Sequence, residues 1–364
     1  MVNITTVDLL GLASSLSYSQ QILNLSDTAN SSIQFVSYDK SFITDILGPN
    51  VSQALISNQS YNAFHEAGVY NQATHSLYMA SNWAHDFSNP INVTILNLDD
   101  YTVSSARYPN IYAANGGEAF YPVGTPANSS AGQQIVFCDE GGLESQSQLT
   151  LLDPATNTTR VILNTFLGRN FSSLNDIKQH YATGDLWFTD AQYGRWQFFR
   201  PIPSIPPQVY RFEPNTGYVQ AVADGFQAPN GLEFSPDFKH VYITDTGSQQ
   251  FSYNDTGPAT IYKYDVTPDG KSIQNRRMFA YADSGIPDGI HTDTMGNVYS
   301  GCGSGDGVHV WNPSGRLLGK FLAYGGVNNF AFIPGGMIIM NADKLYKVTI
   351  AAEGRTVRRD FGLS

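Results

Sequence analysis

Residues 240–247 read HVYITDTG, an apolar and aromatic strand core closing on polar residues, and the chain returns to this pattern five more times. The other copies are SLYMASN at 76–82, QIVFCDE at 134–140, DLWFTDAQYG at 185–194, NVYSGCG at 297–303 and GMIIMNADKLYKV at 336–348. They recur about every 40–58 residues, the period of a propeller blade. After most of them comes a second pair of strands around a turn, as in QVYRFEPNTGYVQAVAD, TIYKYDVTPDGKSIQNRRMFAYA and GVHVWNPSGRLLGKFLA. The turns Asn215-Thr216-Gly217, Pro268-Asp269-Gly270 and Pro313-Ser314-Gly315 supply the positive-φ positions such hairpins need. Each unit reads as a four-stranded antiparallel meander, and six of them make an all-β, six-bladed β-propeller.

Outward from the repeats, residues 33–45 (IQFVSYDKSFITD) are expected to supply the strand that completes the last blade and closes the ring. Leu9, Leu10, Leu12 and Leu23 have loosely helical spacing and predict a short leading helix. The predicted organisation is an N-terminal extension, 1–32, and one propeller domain, 33–364, with the Pro-rich stretch 200–207 as a loop on its top face.

Composition agrees. The 364 residues carry 20 Lys+Arg against 31 Asp+Glu, a net charge of -11, with no basic run, which argues against nucleic acid or an anionic membrane as partner. A 41% apolar and 13% aromatic content excludes a disordered chain, and 33 Gly with 18 Pro suits short strands and tight turns. No run approaches the ~20 apolar residues of a membrane-spanning helix. The first basic residue is Lys40, so no secretory leader is predicted in this sequence. Yet Asn3, Asn24, Asn30, Asn50, Asn58, Asn92, Asn128, Asn157, Asn170 and Asn254 all open N-x-S/T sequons, where roughly four or five are expected by chance. The expectation is a secreted or vacuolar, N-glycosylated protein whose leader has been removed. Cys138 and Cys302 permit at most one disulfide; lying in apolar strand cores without zinc-ligand spacing, they are expected to be buried thiols.

A short polar motif precedes four strand cores at a nearly fixed distance. Glu66 lies twelve residues before Tyr78, Asn175 twelve before Trp187, Asn230 twelve before Tyr242 and Asp288 eleven before Tyr299. In a meander blade this offset falls at the start of the innermost strand, beside the central channel. Two carboxylates and two carboxamides would meet on the axis, an all-oxygen set suited to a hard divalent cation, Ca²⁺ first, with Mg²⁺, Mn²⁺ or Zn²⁺ as alternatives. Asn329 opens the sixth repeat and is expected to line the same channel. Taken singly, Asn230-Gly231 and Asp288-Gly289 also read as ordinary turns.

Together HEAGVY, LNDI with WFTDAQYG, APNGLEFSPD with YITDTG, and PDGI with GNVYSGCG resemble the gluconolactonase/regucalcin (senescence marker protein) superfamily, closest to its fungal, secreted lactonohydrolase-like branch. The resemblance runs from about residue 33 to the end. It implies one axial divalent cation and lactone hydrolysis, with Glu66, Asn230 and Asp288 as metal ligands. Asn175 would touch metal or substrate, and Asp288 would also be the general base. Ser173 stands where regucalcin-like members have a substrate-gripping arginine, GCGSGDG replaces the fungal GCGDG, and Asn328 replaces the usual alanine.

The first functional expectation is therefore a metal-dependent lactone (ester) hydrolase acting on a small molecule, with Asp288 and Asn175 catalytic and His65 or His291 assisting. No G-x-S-x-G elbow supports a serine hydrolase. The alternative is a non-hydrolytic enzyme of fungal secondary metabolism, a hetero-Diels–Alderase or cyclase acting on a polyketide or terpenoid intermediate. It would need an aromatic pocket, for which Trp83, His85, Tyr193, Trp196, Phe198 and Phe199 are available. A protein-binding propeller without chemistry is the third reading, and neither WD signatures nor charged top loops favour it. The oligomeric state is left open.

Overall fold

The computed structural model describes residues 2–28, 32–86 and 91–363. The six strand cores become the second strand of six blades: Ser76–Ala80, Gln134–Asp139, Leu186–Ala191, His240–Asp245, Val298–Gly303 and Gly336–Asn341. These strands are buried almost throughout, which is why they read as unbroken apolar runs rather than alternations. Inside each lies an innermost strand: Glu66–Asn71, Ala114–Phe120, Ser173–Gln179, Pro229–Phe234, Ile286–Thr292 and Asn329–Ile333. The blades are antiparallel four-stranded sheets arranged as a six-bladed propeller, with two extra strands on the fifth. Wedges of apolar side chains fill the gaps between neighbouring blades, such as Phe137 with Tyr78 and Trp187 with Phe234. Each fully buried ring contributes about 1.5–3 kcal/mol. The predicted turns hold, with φ of 78°, 67° and 88° at Gly217, Gly270 and Gly315.

The polar residue that closes several cores has a structural task. The Asp139 carboxylate accepts from the backbone N–H groups of Tyr112, Ala113 and Gly141 at 2.8–2.9 Å. Asp190 likewise accepts from Ser172 and Ser173, and Asp245 from Gln227, Ala228 and Gly247. Each aspartate ties the loop entering an innermost strand to the end of the next strand, fixing the rim of the channel mouth.

Ring closure differs from expectation. Gln34–Ser37 does not complete the last blade; it pairs antiparallel with Leu317–Leu322 on the outside of the fifth, and Phe42–Leu47 forms a π-helical turn. Phe42 is fully buried beneath Gly319, where an added Cβ would lie 2.3 Å from its ring. The closing strand is Ser52–Asn58, paired with Lys344–Thr349. Its two faces are largely exposed, so it shows no apolar pattern to read. The leading segment forms two short helices, Leu9–Ser14 and Leu16–Leu23, rather than one. At the far end of the channel the last residues form a plug. Phe361 stacks on Tyr70 at 3.6 Å, and the Arg359 guanidinium lies 3.8 Å from both the Tyr121 and Tyr181 rings.

Cys138 and Cys302 are buried free thiols, as expected. Of the sequon asparagines, Asn92 is half-buried and Asn30 lies outside the described residues, while the other eight are exposed. No described helix is long and apolar enough to cross a membrane.

The departure GCGSGDG is anchored by an ion network in which Asp306, His309 and Lys320 are buried and Asp283 is half exposed. Lys320 Nζ lies 2.9 Å from Asp306 and 2.8 Å from Asp283, and His309 Nε2 lies 2.5 Å from Asp306. Burial alone would raise the Asp306 pKa, but His309 and Lys320 outweigh it and hold the carboxyl well below its usual range. A depressed carboxylate stabilises the fold above the unfolded pKa and loses that contribution as pH falls through the folded value. Asp306→Asn should cost about 3–5 kcal/mol in chemical denaturation at neutral pH. The gap from wild type should narrow as the pH falls below about 4; a gap independent of pH would refute this account.

Candidate active site

The innermost strands begin with bulges that turn polar side chains inward. In blades two to five the pairs Asn115-Gly116, Asn175-Asp176, Asn230-Gly231 and Asp288-Gly289 lie within breaks in register, and blade one has its break at Gly68, two residues after Glu66. Asn230-Gly231 and Asp288-Gly289 are therefore not hairpin turns. Their glycines have no room for a side chain: a Cβ on Gly116 would lie 2.4 Å from Asn175 O, on Gly231 2.3 Å from Asp288 O, and on Gly289 2.3 Å from Asn329 Cγ. The glycines let neighbouring blades converge, and convergence brings the polar residues together.

They meet in a pocket lined by His65, Glu66, Asn115, Asn175, Asn230 and Asp288, with Tyr193, Trp196, Gln197, Thr246, Gln249, Gln250 and Asn328 among its walls. Glu66 is 5% and Asp288 8% exposed. Glu66 Oε2 accepts from Asn329 Nδ2 at 3.0 Å, and Asp288 Oδ2 from Asn328 Nδ2 at 2.7 Å. Asp288 Oδ1 and Asn175 Oδ1 are buried without a hydrogen-bond partner. Asn230 Nδ2 donates to the Tyr193 hydroxyl at 3.0 Å, which also pairs with Thr246 Oγ1. His65 Nδ1 is 3.4 Å from Glu66 Oε1, and burial lowers the imidazole's pKa.

The electrostatics are those of a site short of positive charge. Burial, and for Asp288 the adjacent Glu66 charge, pushes both carboxyls up to about 8. A cation beside them would favour the ionised form of both. Among the described residues no three His, Cys, Asp or Glu side chains converge so as to hold a metal by themselves. An ion here needs the carboxamide oxygens, and the unpartnered Asn175 and Asp288 oxygens fit that need.

Not every expected residue reaches the pocket. Trp83 packs on Phe199 at 4.6 Å and on exposed His85 at 5.9 Å, fastening a loop instead of roofing the site. Asn329 lies behind Glu66, which it holds. His291 sits three residues further along its strand than Asp288, about 10 Å down the channel. Its Nε2 is 3.2 Å from Asn329 Oδ1 and its Nδ1 3.6 Å from Glu233, and it lines a second cavity above the C-terminal plug. Ser173 is fully buried, donates to Glu140 and accepts from Gly194 N–H, so it does not replace an arginine in the pocket. Asn115, which the motif spacing does not single out, also lines the pocket, and its Nδ2 donates to buried Glu140 at 2.7 Å. It occupies the same bulge position as Asn175, but the insertion 121–133 before the next strand disguises the spacing.

The model of the SMP-30/gluconolactonase/LRE-like region matches residues 91–336. Lactonohydrolase OryL of Aspergillus oryzae is 33% identical over 318 residues, covering 82% of this chain and 69% of its own. The chain belongs to the SMP-30/gluconolactonase/LRE-like family. That places it among lactonase-type hydrolases by descent. Two solved structures share the fold: a gluconolactonase from Xanthomonas campestris (TM-score 0.67, 24% identity, 83% of this chain and 90% of that one) and a calcium-binding regucalcin from Agrobacterium tumefaciens (TM-score 0.61, 14% identity, 83% and 95%).

Convergence around the channel is testable. Gly231→Ala places a methyl against Asp288 O and should cost about 1–3 kcal/mol in chemical denaturation. A neutral substitution would show that the inner strands have slack.

Proposed function

We propose that the chain is a divalent-cation-dependent lactone hydrolase. The observation that carries this is a pair of buried carboxylates, Glu66 and Asp288, with hydrogen-bond-free oxygens on Asp288 and Asn175, in a pocket with no Lys or Arg among its lining residues. Glu66, Asn175, Asn230 and Asp288 would hold the ion, with Ca²⁺ the best match to an all-oxygen set. When bound, such an ion supplies a Lewis acid for the carbonyl oxygen and its developing negative charge.

The chain's own groups would do the rest. Asn328 fixes one oxygen of Asp288, and the other faces the pocket, where it accepts a proton from water as the water oxygen bonds to the carbonyl carbon. The adduct collapses with cleavage of the ring C–O bond, and the proton passes from Asp288 to the leaving alkoxide. Tyr193, held by Asn230 and Thr246, and Trp196 form one wall beside the substrate. A predominantly carboxamide and carboxylate lining favours this chemistry over a cyclase, which needs an apolar enclosure. Exposed sequons support a route through the secretory pathway.

The test is metal content together with hydrolysis of a lactone panel, for wild type and Asp288→Ala. Wild type should carry a divalent ion and lose activity to chelator, with recovery on adding Ca²⁺. Asp288→Ala should lower kcat at least ~10²-fold while remaining folded. A bound ion without hydrolysis of any lactone would sink the hydrolase reading; no ion at all would sink the site assignment.

A further inference from the structure

The pocket floor is polar, but its mouth carries apolar surface that the hydrolytic machinery does not use. Gln197 and Gln250 line the pocket from two different loops, and in each loop the next residue is a phenylalanine. Phe198 is 66% and Phe251 59% exposed, and their rings meet at 5.8 Å with a 42° tilt. Single exposed apolar side chains are ordinary, but two in contact at the edge of a pocket form a surface that favours apolar company.

A second observation is independent of exposure. Phe198 has φ +67°, the left-handed region that bulky residues avoid. The backbone is held there by hydrogen bonds from Phe198 N–H to Arg195 O at 3.2 Å and from Phe199 N–H to Gly194 O at 2.9 Å. The Arg195 guanidinium also lies 5.9 Å from the Phe251 ring centroid. The loop thus spends backbone strain to keep a ring in solvent beside the pocket. Strain of this kind concentrates where a ligand is gripped. Tyr193 and Trp196, in edge contact at 5.3 Å, line the pocket from the same loop that carries Phe198, so its aromatic wall and the exposed pair are close in the chain.

We propose that Phe198 and Phe251 bind an apolar arm of the substrate. The substrate would be a lactone bearing an alkyl or aryl substituent, its carbonyl at the floor and its arm along the two rings. A polyhydroxylated sugar lactone would leave both rings wet. Calling the head group a lactone rests on the hydrolase reading above; the apolar arm rests on the rings alone.

The experiment separates the two. Hydrolysis of γ-butyrolactones with alkyl chains from methyl to octyl at the ring carbon bearing oxygen would be measured beside calorimetric binding of the matching γ-lactams, which resist hydrolysis. For wild type, kcat/KM and lactam affinity should each rise up to about fourfold per methylene until the chain outruns the rings. Phe198→Asn, which tolerates left-handed backbone, and Phe251→Ser should flatten both slopes. A wild-type lactam affinity indifferent to chain length, or a slope unchanged in both variants, overturns the inference even if lactones are hydrolysed. A lactam slope lost in the variants supports it even if no lactone is hydrolysed, and then only the hydrolase reading falls.

Discussion

The arrangement of the site depends on close approach between neighbouring innermost strands. At Gly116, Gly231 and Gly289 even a methyl group would collide with the next blade. Gly116 and Gly231 meet the next blade's backbone and Gly289 the buried Asn329 side chain, so the residue before each glycine is turned into the channel. The positions of Asn115, Asn230 and Asp288 are thus set by close packing between blades, at Gly289 against the same Asn329 side chain that holds Glu66, and the chemistry inherits its geometry from the scaffold. The buried aspartates 139, 190 and 245 complete the restraint by holding the entry loops to the ends of the second strands.

Charge is distributed unequally along the channel. Towards the plugged end Glu118 and Asp176 lie 3.6 and 3.4 Å from Lys178, and Glu233 lies 2.5 Å from Arg355, so acidic groups there have cationic side chains at hand. Burial still pushes Glu118 up to about 8, whereas Arg355 and its neighbours hold Glu233 down to about 2. At the open end the basic side chain beside Glu66 and Asp288 among the described lining residues is His65, whose own pKa is lowered by burial. A divalent cation entering from the end open to substrate meets there two carboxyls with no Lys or Arg among the residues lining the pocket.

How much of this was legible follows from burial. The second strands, apolar on both faces, announced the six blades, and the even spacing to Glu66, Asn175, Asn230 and Asp288 announced the inner ring. Where spacing was disturbed, as between Asn115 and Phe137, the residue disappeared from view. The closing strand escaped because an edge strand wet on both sides carries little apolar pattern, whereas 33–45, covering the fifth blade, carries much. Trp83 and His85 were misplaced because aromatic content in a loop does not reveal whether it faces a pocket or a neighbouring loop. Asn328 stood out as a departure, but its bond to Asp288 depends on how two blades meet, which no local pattern encodes.

The seam between Ser52–Asn58 and Lys344–Thr349 joins segments from nearly opposite ends of the chain. Contacts so remote in sequence form slowly, since a loop of almost the whole chain must close before the pairing is rewarded. Five blades can assemble from local hairpins while the sixth waits for its outer strand. The last blade is therefore where folding is expected to finish and where unfolding is expected to begin, so the lifetime of the closed ring depends on an edge strand far from any chemistry.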